Sequence, residues 1–273
     1  MIPSSLRFAV LAAALTGCAA NTPPAQPAAL AAPAAGASIP IALLKPEGAG
    51  PFPAVVILHD CSGLGPRSSG SPRRWADLLV KQGYVVAIPD SFSTRGHPGG
   101  VCTEANRADV GPVRRVDDAL EALAYVRAQP LVDRAHVGVM GGSHGGATTV
   151  RTVGTARADG FAAAIALYPG CGINGPYHAS APLLILAGEL DDWTPAAACE
   201  RLAKRATGGP VRIKVYPGAH HAFDSGNPIR YNGARVNANA PGGRGATTGG
   251  NPEAWADSIR EVTAFFAQHL RTR

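Results

Sequence analysis

The stretch Gly141-Gly142-Ser143-His144-Gly145-Gly146 constrains this chain more than any other. It follows Ala135-His136-Val137-Gly138-Val139-Met140, a short apolar run that reads as a buried strand. It precedes Ala147-Thr148-Thr149-Val150-Arg151, which opens a helix. A glycine-flanked serine between a strand and a helix is the setting of a G-x-S-x-G nucleophile elbow. The serine of such an elbow occupies a strained turn. A side chain at Gly141 or Gly145 would strike the neighbouring strand and helix. In a chain with 33 glycines the spacing by itself is weak, so the surrounding sequence has to carry the reading.

From Ser38 onward strand and helix signals alternate. Ile39 to Lys45 reads as an edge strand, and Pro53 to His59 is a continuous apolar run expected of a strand buried on both faces. A helix over Arg74 to Val80 ends at Gly83, and a strand from Tyr84 to Ile88 stops at Pro89. Val116, Leu120 and Leu123 space a helix over Pro112 to Ala128. Beyond the elbow, strands are expected over Phe161 to Leu167, Pro182 to Ala187 and Val211 to Tyr216. Helices are expected over Pro195 to Ala206 and Glu253 to Leu270. This order implies an α/β fold, a mostly parallel central sheet with helices on both faces. Asn227 to Asn251 is rich in Gly and Asn without periodicity and reads as a mobile surface loop.

The first residues read as an address. Arg7 precedes an apolar stretch, Phe8 to Leu15, too short to span a membrane. It ends in Leu15-Thr16-Gly17-Cys18, which resembles the bacterial lipobox. Residues 1–17 would then be a signal peptide, with Cys18 lipidated and Ala19 favouring the outer membrane of a periplasm. A plain signal cleaved after Ala14 or Ala20 is the other reading. Residues 18–38 form an Ala/Pro-rich tether, and 39–273 a single domain. Apart from Cys18, Cys61, Cys102, Cys171 and Cys199 make an even number. In an oxidising compartment that suggests two disulfides, with three pairings open. No C-x-x-C pair suggests a zinc site. The formal charge of +6 comes from scattered arginines, without the aromatic-basic interleaving of a nucleic-acid surface.

In a sheet of this kind reactive groups gather at the carboxyl ends of strands. Two strand ends after Ser143 carry candidates: Gly188-Glu189-Leu190-Asp191-Asp192-Trp193-Thr194-Pro195 and Tyr216-Pro217-Gly218-Ala219-His220-His221-Ala222-Phe223-Asp224. The chain order is therefore serine, aspartate, histidine, the order of an α/β-hydrolase triad. A serine hydroxyl is a poor nucleophile at neutral pH. It needs a histidine to take its proton and a carboxylate to hold the ring in the right tautomer. Asp192 and His220 stand one residue from the favoured Asp191 and His221. A metal site of His220, His221 and Asp224 is weaker, because adjacent residues of an extended segment point apart.

These segments, with His59-Asp60-Cys61-Ser62-Gly63 and Pro89-Asp90-Ser91-Phe92, resemble the dienelactone hydrolase family over nearly all of Ile39 to Leu270. The resemblance implies the α/β-hydrolase fold, with Ser143 as nucleophile, Asp191 as acid and His221 as base. It implies an oxyanion hole from the backbone N–H groups of Cys61 and His144, donors aimed at the tetrahedral oxygen. By the same resemblance Cys61 would pair with Cys102 and Cys171 with Cys199. His59 is expected to brace its loop. Asp60 stands where type members carry glutamate, and Arg95 lies one residue beyond their carboxylate-binding arginine. Both are expected at the substrate. Type members also carry cysteine where Ser143 stands, so the reaction class transfers better than the lactone substrate.

The expectation is an exported, lipid-anchored serine hydrolase of small-molecule carboxylic esters or lactones, working through an acyl-enzyme. It would need no cofactor or metal, bind no nucleic acid, and meet the membrane only through its N-terminal lipid. A peptidase or acyltransferase on the same fold is the alternative among enzymes. A non-catalytic envelope lipoprotein is the alternative outside them.

Overall fold

Successive side chains of a strand point to opposite faces, so a strand apolar at every position must be covered on both. Strand β2 follows β1 (Ile41–Leu44) and covers Phe52–Leu58. Its Val55 and Ile57 join Trp75, Leu79 and Phe266 in one core cluster. Val56 and Leu58 join Ala119, Val126 and Val150 in another. Such two-sided burial is why this run carries no polar position.

In the computed structural model, Met1 and residues 38–155 and 159–271 are described. The expected signal peptide, most of the tether and Cys18 lie outside the described residues. After β2 come α1 (Ser71–Lys81), β3 (Val85–Pro89), α2 (Arg115–Arg127), β4 (Val132–Gly142) and α3 (His144–Val153). Next are β5 (Ala163–Leu167), β6 (Tyr177–Ala179), β7 (Leu183–Gly188), α4 (Ala196–Arg205) and β8 (Ala206–Gly208). The chain closes with β9 (Val211–Tyr216), β10 (Arg230–Val236), β11 (Arg244–Thr248) and α5 (Pro252–Leu270). Seven strands form one sheet in the order β1-β3-β2-β4-β5-β7-β9. Only β1 runs antiparallel, at the edge beside β3. The α1 and α5 side chains Trp75, Leu79, Phe265 and Phe266 cover one face, and those of α2, α3 and α4 cover the other. The expected α/β architecture is therefore present.

The segment 227–251 is the main departure. It folds as an antiparallel hairpin, β10 against β11, rather than a structureless loop. Its strands carry Asn232, Gly233 and Gly245 and show no alternation, so periodicity could not reveal them. What orders the hairpin comes from distant parts of the chain. Val236 N–H donates to the Cys102 carbonyl (3.0 Å), and Gly249 N–H to that of His221 (3.0 Å). Trp193 Nε1–H donates to the Val236 carbonyl (2.8 Å). The three-residue β6 and β8, which pair in parallel, were also too short to show a period.

Cys61 is bonded to Cys102 and Cys171 to Cys199. The first pair joins the loop after β2 to the loop that the hairpin touches; the second joins the loop after β5 to α4. Closing loops of 41 and 28 residues restricts the unfolded chain. By the chain-entropy model each bond contributes about 2–4 kcal/mol. Thermal denaturation should accordingly show lower stability for both the Cys61→Ser/Cys102→Ser and the Cys171→Ser/Cys199→Ser proteins. An unchanged midpoint in either would mean that bond constrains nothing in the unfolded state.

Candidate active site

The site starts from a backbone constraint. Ser143 stands between β4 and α3 with φ 52° and ψ −114°, a positive-φ conformation that a residue with a Cβ adopts only at a cost of about 1–3 kcal/mol. Its N–H donates to the Leu167 carbonyl of β5 (2.9 Å), which helps hold the turn. The first turn of α3 then lies directly against the end of β2. A Cβ on Gly145 would stand 2.0 Å from the Leu58 carbonyl oxygen, and one on Gly141 would stand 2.5 Å from the Gly145 carbonyl carbon. Only glycine fits either position.

This turn brings Ser143 to the groups carried by two later strand ends. The Ser143 hydroxyl is 2.8 Å from His221 Nε2, and His221 Nδ1 is 2.8 Å from Asp191 Oδ2. Asp191 Oδ1 accepts from the N–H groups of Trp193 (2.9 Å) and Thr194 (2.8 Å). Burial disfavours the Asp191 charge. The nearby His221 and the hydrogen bonds from His221 and Thr194 outweigh that, and its carboxyl is held below the ordinary value. Asp191 therefore stays ionised and keeps Nδ1 of His221 protonated, which leaves Nε2 free to accept from Ser143. Tyr168 and Trp193 pack their rings on His221, each with centroids 4.8 Å away.

Cys61 and His144 flank Ser143 in the lining of a recess of about 150 Å³. His144 is the first residue of α3, so its N–H is one that a helix leaves without an internal acceptor. The Cys61 N–H makes no hydrogen bond among the described residues. His59 braces this loop as expected: its Nδ1 is 2.9 Å from the Asp60 carbonyl, and its Nε2 accepts from Ser91 N–H (3.2 Å). Burial, and secondarily the Arg115 charge, push the His59 pKa well down, so this ring is neutral.

Several expected residues are placed otherwise. Arg95 does not reach the cleft. Its guanidinium grips both carboxylate oxygens of Asp118 on α2 (2.7 and 2.6 Å) and donates to the Ser91 carbonyl (2.7 Å). A buried acid at that distance outcompetes any solvent-facing position for the side chain. Asp60 does line the cleft, but its carboxylate accepts from Ser62 N–H (2.7 Å) and the hydroxyls of Ser62 and Ser69. It shapes the loop. His220 bonds to neither Ser143 nor Asp191. Asp192 accepts from the Thr247 N–H and hydroxyl, both at 2.8 Å, and so fastens the hairpin. Asp224 accepts from Tyr168 Oη (2.8 Å), Trp75 Nε1 (2.9 Å) and Ser71, well away from a metal-ligating role. Among the described residues no group of three His, Cys, Asp or Glu side chains could hold a metal ion.

The wider cleft, about 280 Å³, runs from Ser143 and His221 past Cys61, Cys102 and Trp193 to Arg67, Asn227 and Arg235. Arg235 comes from the hairpin and stacks over Trp193, 4.8 Å from the ring centroid. Sequence reasoning missed it because it lies in the segment taken for a loop. Trp193 stood inside a recognised segment and drew no role because its ring position depends on the hairpin.

The comparisons agree with this architecture. A carboxymethylenebutenolidase homologue of Azospirillum brasilense, named with the qualifier "Putative", is 26% identical over 246 residues, covering 83% of this chain and 91% of that protein. The dienelactone hydrolase of Anabaena variabilis superposes with a TM-score of 0.60 at 17% identity, over 85% of this chain and 93% of that one. Thermogutta terrifontis esterase 2, in a form phosphorylated by paraoxon, superposes at 0.60 and 18% identity, over 84% of this chain and 88% of that one. The model of the dienelactone hydrolase family matches residues 39–270. The chain belongs to the dienelactone hydrolase family.

Proposed function

We propose that this protein hydrolyses carboxylic esters or lactones through an acyl-enzyme on Ser143. The observation that carries the reading is the unbroken hydrogen-bonded line from Asp191 through His221 to Ser143, opening on a cleft beside the Cys61 and His144 amides. His221 Nε2 takes the Ser143 proton as Oγ attacks the carbonyl carbon. The carbonyl oxygen becomes an oxyanion and accepts from the Cys61 and His144 N–H groups. Asp191 stabilises the imidazolium without taking its proton. His221 then gives the proton to the leaving alcohol oxygen as the C–O bond breaks. Water repeats the sequence on the acyl-enzyme and releases the acid. The steps need no cofactor.

The same proton transfer orients the substrate. The leaving oxygen must meet His221, which lines the wider cleft and not the smaller recess. The alcohol portion therefore lies toward Arg67 and Arg235, and the acyl portion toward Ala147, Gly170 and Pro112. The two disulfides and the lipobox-like Leu15-Thr16-Gly17-Cys18 support export to an oxidising periplasm, with Cys18 as a lipid anchor.

A fluorophosphonate probe should label Ser143, and Ser143→Ala, His221→Ala and Asp191→Asn should each lower ester turnover by roughly 10³–10⁶. Their effects should be strongly non-additive. A harmless His221→Ala with a damaging His220→Ala would reassign the base. On p-nitrophenyl esters, acetyl and butyryl groups should be turned over faster than octanoyl, and Ala147→Leu should sharpen that preference. A flat chain-length profile would refute the assignment of the recess. Arg235→Ala should weaken turnover of esters with an anionic alcohol by about tenfold to a hundredfold, through loss of one charge-assisted contact. Arg95→Ala should not distinguish anionic from neutral substrates.

A further inference from the structure

Arg115 opens α2 and is completely buried, yet it forms no salt bridge among the described residues. Three carboxylates feel its charge, Asp118, Asp60 and Asp90. Each is engaged elsewhere. Asp118 is held by both arms of Arg95. Asp60 accepts from Ser62 and Ser69, and Asp90 from Phe92, Ser93 and the Ser93 hydroxyl. The guanidinium lies over the Phe92 ring, 5.0 Å from its centroid. Its Nε and Nη2 find no hydrogen-bond partner among the described residues. Burial lowers its pKa to about 10, which still leaves it cationic at neutral pH.

Its one directed polar contact leads to the reacting centre. Arg115 Nη1–H donates to His144 Nδ1 (2.8 Å). A donor on Nδ1 fixes the ring as the Nε2–H tautomer, and burial together with the Arg115 charge keeps it neutral. His144 is also the residue whose backbone N–H faces the expected oxyanion. Its charge is balanced only through space, by carboxylates whose oxygens are bonded to other groups. A negative charge that develops on the His144 amide side, in the same low-dielectric region, would be attracted to it.

Resting on the functional reading above, we propose that Arg115 is a positioning residue of the oxyanion hole. It locks the His144 ring behind the elbow and places a buried positive charge, held by no direct salt bridge, behind the amide that receives the oxyanion. The favourable interaction arises only as the tetrahedral oxyanion forms, so it acts on the transition state and not on the bound ester.

The test compares Arg115→Met, Arg115→Gln and Arg115→Lys in full-length protein. It uses steady-state kinetics on an acetate ester, titration with a boronic acid that forms a tetrahedral anionic adduct on Ser143, and thermal denaturation. Removing one oxyanion-hole donor typically costs about 10²–10³ in kcat, and a charge standing one side chain behind should cost less, roughly 10–100-fold. Both Met and Gln should show that fall in kcat with KM nearly unchanged, a parallel fall in boronate affinity, and a melting temperature equal to or above wild type. Lys should recover most of the loss. Wild-type kcat in the Gln variant would mean that the hydrogen bond to His144 suffices, which overturns the role of the charge. A loss shared by all three variants and matched by lower melting temperatures would make Arg115 purely structural. If the wild-type protein turned over no ester but still bound the boronate through Ser143, weakly in the Met variant, the functional reading would fall and this inference would stand.

Discussion

Leu58 closes β2 and Gly145 lies in the first turn of α3, and their backbones approach so closely that no Cβ can enter between them. Leu58 also pairs in register with Gly141 at the end of β4. This contact fixes where Ser143 projects, and it places the loop after β2 beside the nucleophile. Ser143 and the Cys61 loop therefore share one piece of backbone geometry. Disturbing the β2–β4 register would misplace both together.

A strained serine and a buried aspartate–histidine pair are costly, and rigid surroundings hold them. Asp224 gathers Tyr168, Trp75 and Ser71 beneath the site, and Tyr168 packs against His221 in a T-shaped ring pair. These polar groups are buried but mutually satisfied, which makes them a stiff support. Phe92 lies between His59 and His144, with ring centroids 4.4 and 5.7 Å away, and packs the other flank. Behind this flank the Arg115 guanidinium, with Nε and Nη2 lacking a hydrogen-bond partner among the described residues, meets His144 through Nη1.

The hairpin and the Cys61–Cys102 bond form the opposite wall of the cleft. Cys102 is bonded to the loop after β2 and accepts from Val236 of the hairpin through its carbonyl. Trp193, from the loop that carries Asp191, donates to the same Val236. Three loops from distant parts of the sequence are thus linked around the substrate space, and the hairpin adds Arg235 to it.

The sheet and most of the site were legible in the sequence because their signals are local. Apolar runs such as Val55 to Leu58 reflect burial on both faces, and the glycines around Ser143 mark, within six residues, the turn where α3 meets the end of β2. Asp191 and His221 could be placed because strand ends gather reactive groups in this fold. The roles of Arg95, Arg235, Arg115 and the 227–251 segment were not legible. Arg95 turns to Asp118 because folding brings that acid within 2.6 Å, and nothing near Arg95 in sequence records it. The hairpin has no period of its own, since its hydrogen bonds run to Cys102, Trp193 and His221. Local chemistry determined which residues could react, whereas long-range packing decided which charges were neutralised, which stayed unpaired, and what surrounds the cleft.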